Sequence, residues 1–533
     1  MARTPLLSAL QRSLRIARLS SRSGRDPAEI RQREVERAAG RRDFSRRDFL
    51  AAGAAAAVSM SLGRGARVRA APLERAGPRG PAHVIVIGAG IAGLTCAYRL
   101  RQAGIGVRVF EAQNRIGGRM SSLRGHFDDG QVAELGGELI DSGHTHVRGL
   151  AEELGIAIDD LIPSAAEEQP VWFFGGAKRT ESEIVEAFRP VAARIQAALA
   201  RFGREEVTYR STGAARDLDR TSVAEWFDRN EVGGWFRQML DVAFTTEFGL
   251  EVDRQSALNF LTTIDPMAQP FGLYGESDER FHVRGGNDLI PTTLAQRLGS
   301  VIELNCVLER IRRRSDGLLE CSFRRGAQDL VVSADHVVVT IPFTLLRRVP
   351  IDADLPPAKR RAIAELGYGT NAKLMIGFTA RTWRTRYGTS GSTVADLPYQ
   401  LTWETSRLQA GASGILTNFT GGRHGLELGT GAASDRASEV ATQLDAVYPG
   451  LAALRTKEAR FHWPSFPYTQ GSYACYLPGQ WTTVRGVERE PAGNLHFAGE
   501  HCSLGAQGFM EGGCETGERA AAAVRAALRR RAA

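Results

Sequence analysis

One stretch, residues 83–119, constrains the fold of this 533-residue chain more than any other: HVIVIGAGIAGLTCAYRLRQAGIGVRVFEAQNRIGGR. Its first apolar run, Val84–Ile87, carries no charge, which is typical of a strand buried on both faces. A glycine-rich turn and a helical pattern to about Gln102 follow, and a second apolar run, Val107–Phe110, ends in Glu111. This order predicts a βαβ unit that binds a dinucleotide at the turn.

The turn reads GAGIAG, and its three glycines have different predicted tasks. Gly88 permits the tight turn, Gly90 lets the backbone approach a pyrophosphate, and Gly93 lets the helix pack close to the strand. The helix N-terminus then faces the phosphates. Glu111 stands where an acid accepts hydrogen bonds from the adenosine ribose hydroxyls. The alternative, a glycine-rich turn without a ligand, is disfavoured because strand, glycines, helix, second strand and acid all occur in order.

The residues after Glu111 narrow the choice of dinucleotide cofactor. Gly117 and Gly118 bring the backbone close to a ligand, and Arg119 can bind a pyrophosphate through its fork of donors. Here the sequence resembles the flavin-containing amine oxidase family, which comprises monoamine, polyamine and L-amino acid oxidases. The resemblance runs from about His83 to the C-terminus. It implies FAD as the cofactor and a two-domain α/β fold, with a Rossmann-like FAD domain and a substrate domain of mixed sheet and helices.

The resemblance also implies that both domains are assembled from separated segments. The predicted divisions are a twin-arginine leader and linker at 1–80, FAD-domain segments at 81–141, 281–349 and 491–533, and substrate-domain segments at 142–280 and 350–490. The first substrate segment has helical periodicity at Ser182–Phe202 and Val223–Phe248.

Composition limits the other classes of function. The chain is 43% hydrophobic, ample for a core, and its length is too great for one simple domain. Its net charge of +8 is uneven: residues 1–80 carry +11 and the remainder −3, so the basic balance gives no argument for nucleic-acid binding. The cysteines show no CxxC and no metal spacing, which argues against a metal site and leaves a disulfide open. They are Cys96, Cys306, Cys321, Cys475, Cys502 and Cys514.

The N-terminal residues carry an export pattern. Ser45–Leu50 reads SRRDFL and resembles the twin-arginine motif, which predicts transport by the twin-arginine machinery to the periplasm or outside the cell. The Ala-rich segment Phe49–Leu62 is too short to remain as a membrane anchor. Val68–Ala70 offers a small-residue cleavage site. The alternative is a disordered arginine-rich tail around a chance arginine pair.

Further cofactor contacts are implied by the resemblance. The paired glycines Gly136 and Gly137 would lie against the flavin, and Val307, at the end of a strand predicted over Val301–Val307, would contact the adenine through its backbone. Gly499 and Glu500 would make a second cofactor contact after the strand that begins at Leu495. Met510 would donate its backbone N–H to the flavin at the start of the last helix, where the helix dipole stabilises negative charge.

Lys373 is the main candidate for a catalytic residue. The chain has four lysines among many arginines, and Lys373 lies in the apolar run Asn371–Phe378, where an ammonium loses its solvation unless it is partnered. In the resembled family, this lysine holds a water against the flavin N5 and assists the reaction with oxygen. The alternative is an edge-strand lysine whose head reaches solvent.

Two aromatic residues are implied to hold the amine. Tyr473 and Phe509 match the family positions that form two aromatic walls in front of the flavin, although simple core packing would be the default for isolated aromatics. Ser472 stands where monoamine oxidases carry the cysteine bonded to the flavin. Because a serine cannot form that linkage, the FAD is predicted to be noncovalent.

Asp141 is the candidate for substrate recognition. It matches the position where plant polyamine oxidases carry an acid facing the substrate, whereas Leu139 replaces the carboxylate-binding arginine of the venom L-amino acid oxidases. An acid in the cavity would favour a substrate with a second positive group. The alternative for Asp141, and for Glu138, is a turn acid or a cap of the following helix.

The predicted function is FAD-dependent oxidation of an amine or a basic L-amino acid to an imine, which water hydrolyses, while O2 is reduced to H2O2. Two alternatives remain: a desaturase-type FAD enzyme acting on a non-amine substrate, and a non-catalytic FAD-binding protein. Lys373, Tyr473 and Phe509 argue against the desaturase. The expected partners are the small-molecule substrate, O2 and the export machinery, with no nucleic acid; a homodimer is left open.

Overall fold

The computed structural model describes residues 84–161, 169–201, 206–263 and 278–532. The predicted leader at residues 1–80 lies outside these ranges, so the export signal stays a prediction. In the described ranges, none of the helices combines the length and the apolar character needed to cross a membrane.

The chain forms twenty strands within the described ranges. They are β1 Val84–Ile87, β2 Val107–Phe110, β3 Ser122–Leu123, β4 Ala133–Glu134, β5 Ile158–Asp160, β6 Gln169–Phe174, β7 Ala177–Arg179, β8 Phe281–Val283, β9 Ile302–Glu303, β10 Val307–Arg313, β11 Leu319–Arg325, β12 Gln328–Ala334, β13 His336–Val339, β14 Ile351–Asp352, β15 Ala372–Phe378, β16 Thr389–Ala395, β17 Leu401–Glu404, β18 Gly414–Thr420, β19 Arg455–His462 and β20 Leu495–Phe497.

Fourteen α-helices in the described ranges pack around these strands. They are α1 Ile91–Gln102, α2 Thr145–Leu154, α3 Glu181–Ala200, α4 Ala214–Asp219, α5 Val223–Arg229, α6 Gly234–Phe248, α7 Ala257–Thr263, α8 Leu289–Leu298, α9 Phe343–Leu346, α10 Pro357–Glu365, α11 Thr382–Thr385, α12 Gly422–Glu427, α13 Ala433–Leu444 and α14 Met510–Ala532.

A five-stranded parallel sheet has the order β20-β13-β1-β2-β9. Its strands come from three separated parts of the chain, and the apolar run β1 lies at its centre with all four residues buried. Because β1 ends at Ile87 and α1 begins at Ile91, the glycine-rich turn lies at the carboxyl edge of the sheet, where open α/β sheets bind their ligands. The βαβ prediction is confirmed here.

The strand predicted over Val301–Val307 is wrong as one element. The chain forms the short strand β9, breaks, and starts β10 at Val307. The break contains Asn305, which has a φ of +61° and cannot continue an extended strand. β10 then joins a separate four-stranded sheet of order β12-β11-β10-β14, and Val307 is its first residue.

A seven-stranded mixed sheet has the order β19-β15-β18-β17-β16-β6-β7. β15 pairs antiparallel with β18 on one side and with β19 on the other, and all seven of its residues are buried. Lys373 is paired with Phe419 and Phe461 in this register. The edge-strand alternative for Lys373 is therefore wrong, because its strand has a neighbour on both sides.

The helical segments follow the predicted periodicity with one difference. α3 begins with a capping box, in which Thr180 and Glu183 satisfy each other's backbone N–H groups. The pattern predicted over Val223–Phe248 is two helices, α5 and α6, rather than one. Glu231 lies between them with a φ of +52°, which interrupts a right-handed helix. The predicted domain boundaries as such stay a prediction.

Candidate active site

A single cavity of about 630 Å³ brings together the predicted site residues, with Gly93 as the one exception. Its walls include the predicted residues Gly88, Gly90, Glu111, Arg119, Gly136, Gly137, Asp141, Val307, Lys373, Tyr473, Gly499, Glu500, Phe509 and Met510. The roles assigned to them stay predictions, but their convergence from sequence positions more than 400 residues apart defines one candidate site.

The glycine-rich turn carries out three distinct steric tasks. Gly88 has a φ of +102°, a conformation that a residue with a side chain rarely adopts. A Cβ on Gly93 would lie 2.0 Å from the Gly88 carbonyl oxygen, so Gly93 acts in helix–strand packing and does not line the cavity. A Cβ on Gly90 would meet nothing closer than the Gly118 Cα at 4.0 Å, and it would occupy the cavity instead.

Glu111 and Arg119 are both held in place by hydrogen bonds. The Glu111 carboxylate accepts from the backbone N–H groups of Ala89, at 2.7 Å, and Gln113, at 2.9 Å. Burial raises the pKa of Glu111 despite these bonds. Arg119 donates to Glu500 and to the Ser472 carbonyl, both at 2.8 Å. Glu111 thereby ties the end of β2 to the glycine-rich turn, and Arg119 ties the segment after β2 to the C-terminal part of the chain.

Another part of the cavity wall is formed by two segments that approach each other closely. A Cβ on Gly137 would lie 2.8 Å from the Met510 Cγ, so the paired-glycine segment and the start of α14 are in direct contact. Glu500 also accepts from the Gly508 N–H at 2.8 Å, which fixes the loop that leads into α14. Val307 has 43% of its side chain exposed at the cavity, an unusual exposure for a large apolar residue.

These features fit FAD. The N-termini of α1 and α14 both border the cavity, as sites for negative charge on a ligand. The space that a Cβ on Gly90 would fill lies beside the N-terminus of α1, where a pyrophosphate would approach the backbone. Glu111 at the end of β2 suits the ribose, and the exposed Val307 offers an apolar surface to an adenine. The residues present therefore match an extended dinucleotide with flat rings.

Lys373 is buried in the cavity wall and has a carboxylate partner. Its Nζ lies 2.8 Å from Glu138 Oε2 and also donates to the carbonyl oxygens of Gly136, at 2.8 Å, and Glu134, at 3.2 Å. The ammonium lies 5.1 Å from the centre of the Trp403 ring. Burial alone would raise the pKa of Glu138, but the charge of Lys373 and its hydrogen bond outweigh burial and hold that pKa below its usual range.

The two predicted aromatic walls also face the cavity. The Tyr473 hydroxyl donates to the Glu247 carbonyl at 2.9 Å, which fixes the ring. The Phe509 ring packs on the His144 ring, with the centroids 4.9 Å apart. Ser472 donates to the Asn371 side chain at 2.7 Å. A serine in this hydrogen bond offers no thiol for a bond to the cofactor, which supports the prediction of noncovalent FAD.

Asp141 lies at the cavity beside a second acid that the sequence did not indicate. The Glu279 N–H donates to Asp141 Oδ1 at 2.9 Å, and both residues line the cavity. Asp141 also contacts His144, whose pKa burial lowers to about 4. Asp141 thus belongs to the turn before α2, as the structural alternative expected, and to the cavity wall. The cap of α2 is His144, not Asp141.

Several residues of the cavity wall were not predicted from the sequence. Glu138 was considered only as a turn or cap acid, and Glu279, Trp403, Trp463 and Asn371 were not proposed as site residues. No local signal distinguishes them, because each depends on a partner far away in the chain. The six cysteines are buried free thiols. Among the described residues, no group of three His, Cys, Asp or Glu side chains is arranged to hold a metal ion.

Comparison with known proteins places the chain in a family. A model of flavin containing amine oxidoreductases matches residues 91–525, and the protein belongs to this family. An L-amino-acid oxidase from Siganus canaliculatus is 27% identical, with 82% of this chain and 84% of the relative aligned. An L-amino acid dehydrogenase from Synechocystis sp. is also 27% identical, over 85% of this chain and 97% of the relative.

A solved structure has the same fold. Cyclohexylamine oxidase from Brevibacterium oxydans IH-35A superposes with a TM-score of 0.74 at 21% sequence identity, covering 84% of this chain and all of the other. The protein is thus a two-domain α/β flavoprotein with FAD as its cofactor, and an amine or amino-acid oxidoreductase.

Proposed function

We propose that this protein oxidises the C–N bond of a small amine or L-amino acid that carries a second positive group, and that O2 is reduced to H2O2. The imine formed at the amine carbon is hydrolysed to an aldehyde or a 2-oxo acid plus ammonia. A basic L-amino acid is the first candidate, ahead of a polyamine and a simple arylalkyl monoamine.

The observation that carries this proposal is the pair of acids in the cavity. Asp141 and Glu279 are joined through the Glu279 N–H, and burial together with the charge of Asp141 raises the pKa of Glu279 well above its usual range. Two carboxyl groups that share a buried wall repel each other when both are charged. A cationic group on a substrate removes that repulsion, and an opposed charge pair in a dry site is worth roughly 1–3 kcal/mol.

The remaining residues have roles in binding and orientation. Tyr473 and Phe509 would hold the amine between two aromatic faces, and Trp403 adds a third apolar surface to the cavity. The N-terminus of α14 at Met510 would stabilise negative charge on the bound cofactor. FAD, when bound, accepts the hydride from the carbon that bears the amine and passes the electrons to oxygen.

A peroxide-release screen tests the substrate class. Purified holoenzyme is offered L-arginine, L-lysine, putrescine, L-leucine and benzylamine, and H2O2 is measured for each. We expect the compounds with a second positive group, L-arginine, L-lysine and putrescine, to give the highest kcat/KM. Anaerobic bleaching of the yellow colour by the same compounds, followed by its recovery in air, would separate an amine oxidase from a desaturase and from a non-catalytic protein. Best turnover of a neutral aromatic amine would contradict the basic preference.

The role of Asp141 is tested by removing its charge. We expect Asp141→Asn to raise KM for arginine or putrescine by about tenfold, in line with the loss of a charge pair, and to leave KM for a neutral amine unchanged. Asp354→Asn is the matched control, because the Asp354 side chain is fully exposed and does not line the cavity. Equal KM values for all substrates in Asp141→Asn and the wild type would mean that Asp141 is only a turn acid.

We propose, from the sequence motif alone, that the protein is exported in folded form by the twin-arginine route. Replacing Arg46 and Arg47 together with lysine should retain yellow, folded protein in the cytoplasm. Unchanged activity in the periplasmic fraction would contradict this proposal.

A further inference from the structure

The ammonium of Lys373 has no donor left over. A lysine head carries three N–H donors, and the three acceptors around Lys373 are Glu138 Oε2, the Gly136 carbonyl and the Glu134 carbonyl. Its side chain is 5% exposed. The charge is therefore fixed at one point of the cavity wall and is satisfied there by the protein itself.

Both carboxylate oxygens of Glu138, the partner of Lys373, also have hydrogen-bond donors. Glu138 Oε1 accepts from the Thr405 hydroxyl at 2.8 Å while Oε2 accepts from Lys373, and the Glu138 side chain is 5% exposed. One positive and one negative charge thus face the cavity 2.8 Å apart. The pair has no net charge, so a substrate meets a dipole, whose field falls off faster with distance than the field of a lone ammonium.

The other charges at the cavity make this cancellation important. Arg119 is paired with Glu500, and Arg324 at the outer end is paired with Glu309. Near Lys373, the acids Asp141 and Glu279 lie in the wall, and the charge of Glu138 is among those that raise the pKa of Glu279.

Two more charged groups, Arg407 and Glu134, lie close to this wall without lining the cavity. The charges of Glu279 and Glu138 act on Arg407, which donates to the Glu404 carbonyl. Glu134 is bound to His282 and Ser122 behind the wall. Because Arg407 acts on Glu279 and the pKa of Glu279 is raised, the charge that remains to attract a cation at this end is chiefly that of Asp141, provided that Glu138 cancels the charge of Lys373.

We propose that Glu138 is a specificity-determining residue, which cancels the positive charge of Lys373 so that the charge of Asp141 gives the substrate end of the cavity its negative character. This proposal deepens the proposed function, because it explains how a cavity with a buried lysine can prefer a cationic substrate. Without Glu138, the ammonium of Lys373 would oppose a substrate cation and attract a substrate carboxylate.

Two inert ligands of the same shape and opposite charge provide the test. Benzamidine is a cation and benzoate an anion, and neither has an oxidisable C–H next to an amine nitrogen. Each is titrated into oxidised holoenzyme, and Kd is measured from the change in flavin absorbance. The ratio of the benzoate Kd to the benzamidine Kd reports the charge that the cavity presents, independently of turnover.

Three variants with different charge at one pair are compared with the wild type. We expect Glu138→Gln to lower the ratio by about tenfold, because it leaves an uncompensated cation, and Lys373→Met to raise it by about tenfold. The double variant Glu138→Gln/Lys373→Met should return the ratio to within about twofold of the wild type. Shifts of opposite sign that cancel are not produced by a merely structural role, which would weaken both ligands together.

Flavin content and thermal unfolding are measured for each variant as controls for correct folding. Removing one partner of a buried ion pair is strongly destabilising, whereas the double variant leaves no unpaired charge at this position and should unfold closer to the wild type. If Glu138→Gln does not retain FAD, the Kd ratio in Lys373→Met and its return towards the wild-type value in the double variant still test the proposal.

The contrary outcomes are equally specific. An unchanged Kd ratio in all folded variants, or a wild type that binds benzoate more tightly than benzamidine, would overturn the proposal. Turnover is not involved, so this failure is distinct from failure of the proposed oxidation: the peroxide screen could still show an oxidase whose substrate end is not governed by Glu138.

Discussion

At the scale of single residues, chemically identical glycines carry different constraints in this protein. Gly88 is required for its backbone conformation, Gly93 for contact between backbone segments, and Gly90 for the space it leaves in the cavity. Substitutions in one six-residue turn should therefore separate loss of cofactor from loss of fold.

We expect Gly90→Val to fold but to bind FAD at least about tenfold more weakly, since the added side chain enters the cavity without meeting protein atoms within contact distance. Flavin released by heat from the purified variant measures cofactor content, and thermal unfolding of the apoprotein measures stability. Gly93→Ala is the companion variant and should lower apoprotein stability, because its Cβ would collide with the Gly88 carbonyl. A yellow Gly90→Val protein with full FAD content would show that no phosphate approaches this residue.

At the scale of elements, the first and last helices of the described chain are packed backbone to backbone. α1 and α14 meet at Gly513 and Gly517, where an added Cβ would lie 2.6 Å from the Ile91 side chain and 2.4 Å from the Ala92 carbonyl. Both helices begin at the cavity, so their close packing places two N-termini against one ligand.

We expect Gly517→Ala to destabilise the protein by roughly 1–3 kcal/mol, because the helices must separate to admit the methyl group. Chemical denaturation gives the free energy of unfolding, and retained flavin shows whether the shift reaches the cofactor site. Ala522→Leu, at an exposed position of the same helix, serves as the control and should change little. Unaltered stability in Gly517→Ala would mean that α14 adjusts its position freely.

At the scale of the whole molecule, buried titratable groups oppose one another as the pH falls. Burial lowers the pKa of His144, His496 and His501 to about 4, so the unfolded chain takes up these protons first and stability is lost from pH 6.5 to 4. Burial raises the pKa of Glu488 to about 7, which acts in the opposite direction as the pH falls from 7 to 4.5. The stability curve of the protein is the balance of these effects.

The substitution His496→Gln isolates the contribution of one histidine to the pH dependence of stability. His496 donates to or accepts from His336 on the neighbouring strand, at 3.1 Å, and glutamine can replace it as a polar partner. Relative to wild type, the free energy of unfolding of His496→Gln should rise by about 1.4 kcal/mol per pH unit as the pH falls from 6.5 towards 4. The reason is that the unfolded variant has no histidine at this position to take up a proton. Unfolding free energies at pH 7, 6 and 5 measure this difference. A constant difference would mean that His496 takes up its proton at the same pH in the folded and the unfolded protein.

Local patterns in the sequence determined the βαβ unit, the buried strand that carries Lys373 and the helix that begins at Met510, because strand burial, turn glycines and helical periodicity are properties of neighbouring residues. They predict a bound dinucleotide, and the resemblance to the flavin-containing amine oxidases implies that it is FAD. The break at Asn305 and the division of residues 223–248 into two helices were missed, since single left-handed residues leave little trace in an apolar pattern.

Only the tertiary structure decided which charges meet. Glu138 and Lys373 are 235 residues apart, and the Glu279 N–H and Asp141 are 138 apart. Their contacts depend on β15 lying between β18 and β19, and on the path of the chain from α2 to β8, neither of which is a local property. The sequence could therefore determine that an amine-oxidising flavin site exists, whereas the net charge of that site follows from long-range packing that sets each ion pair.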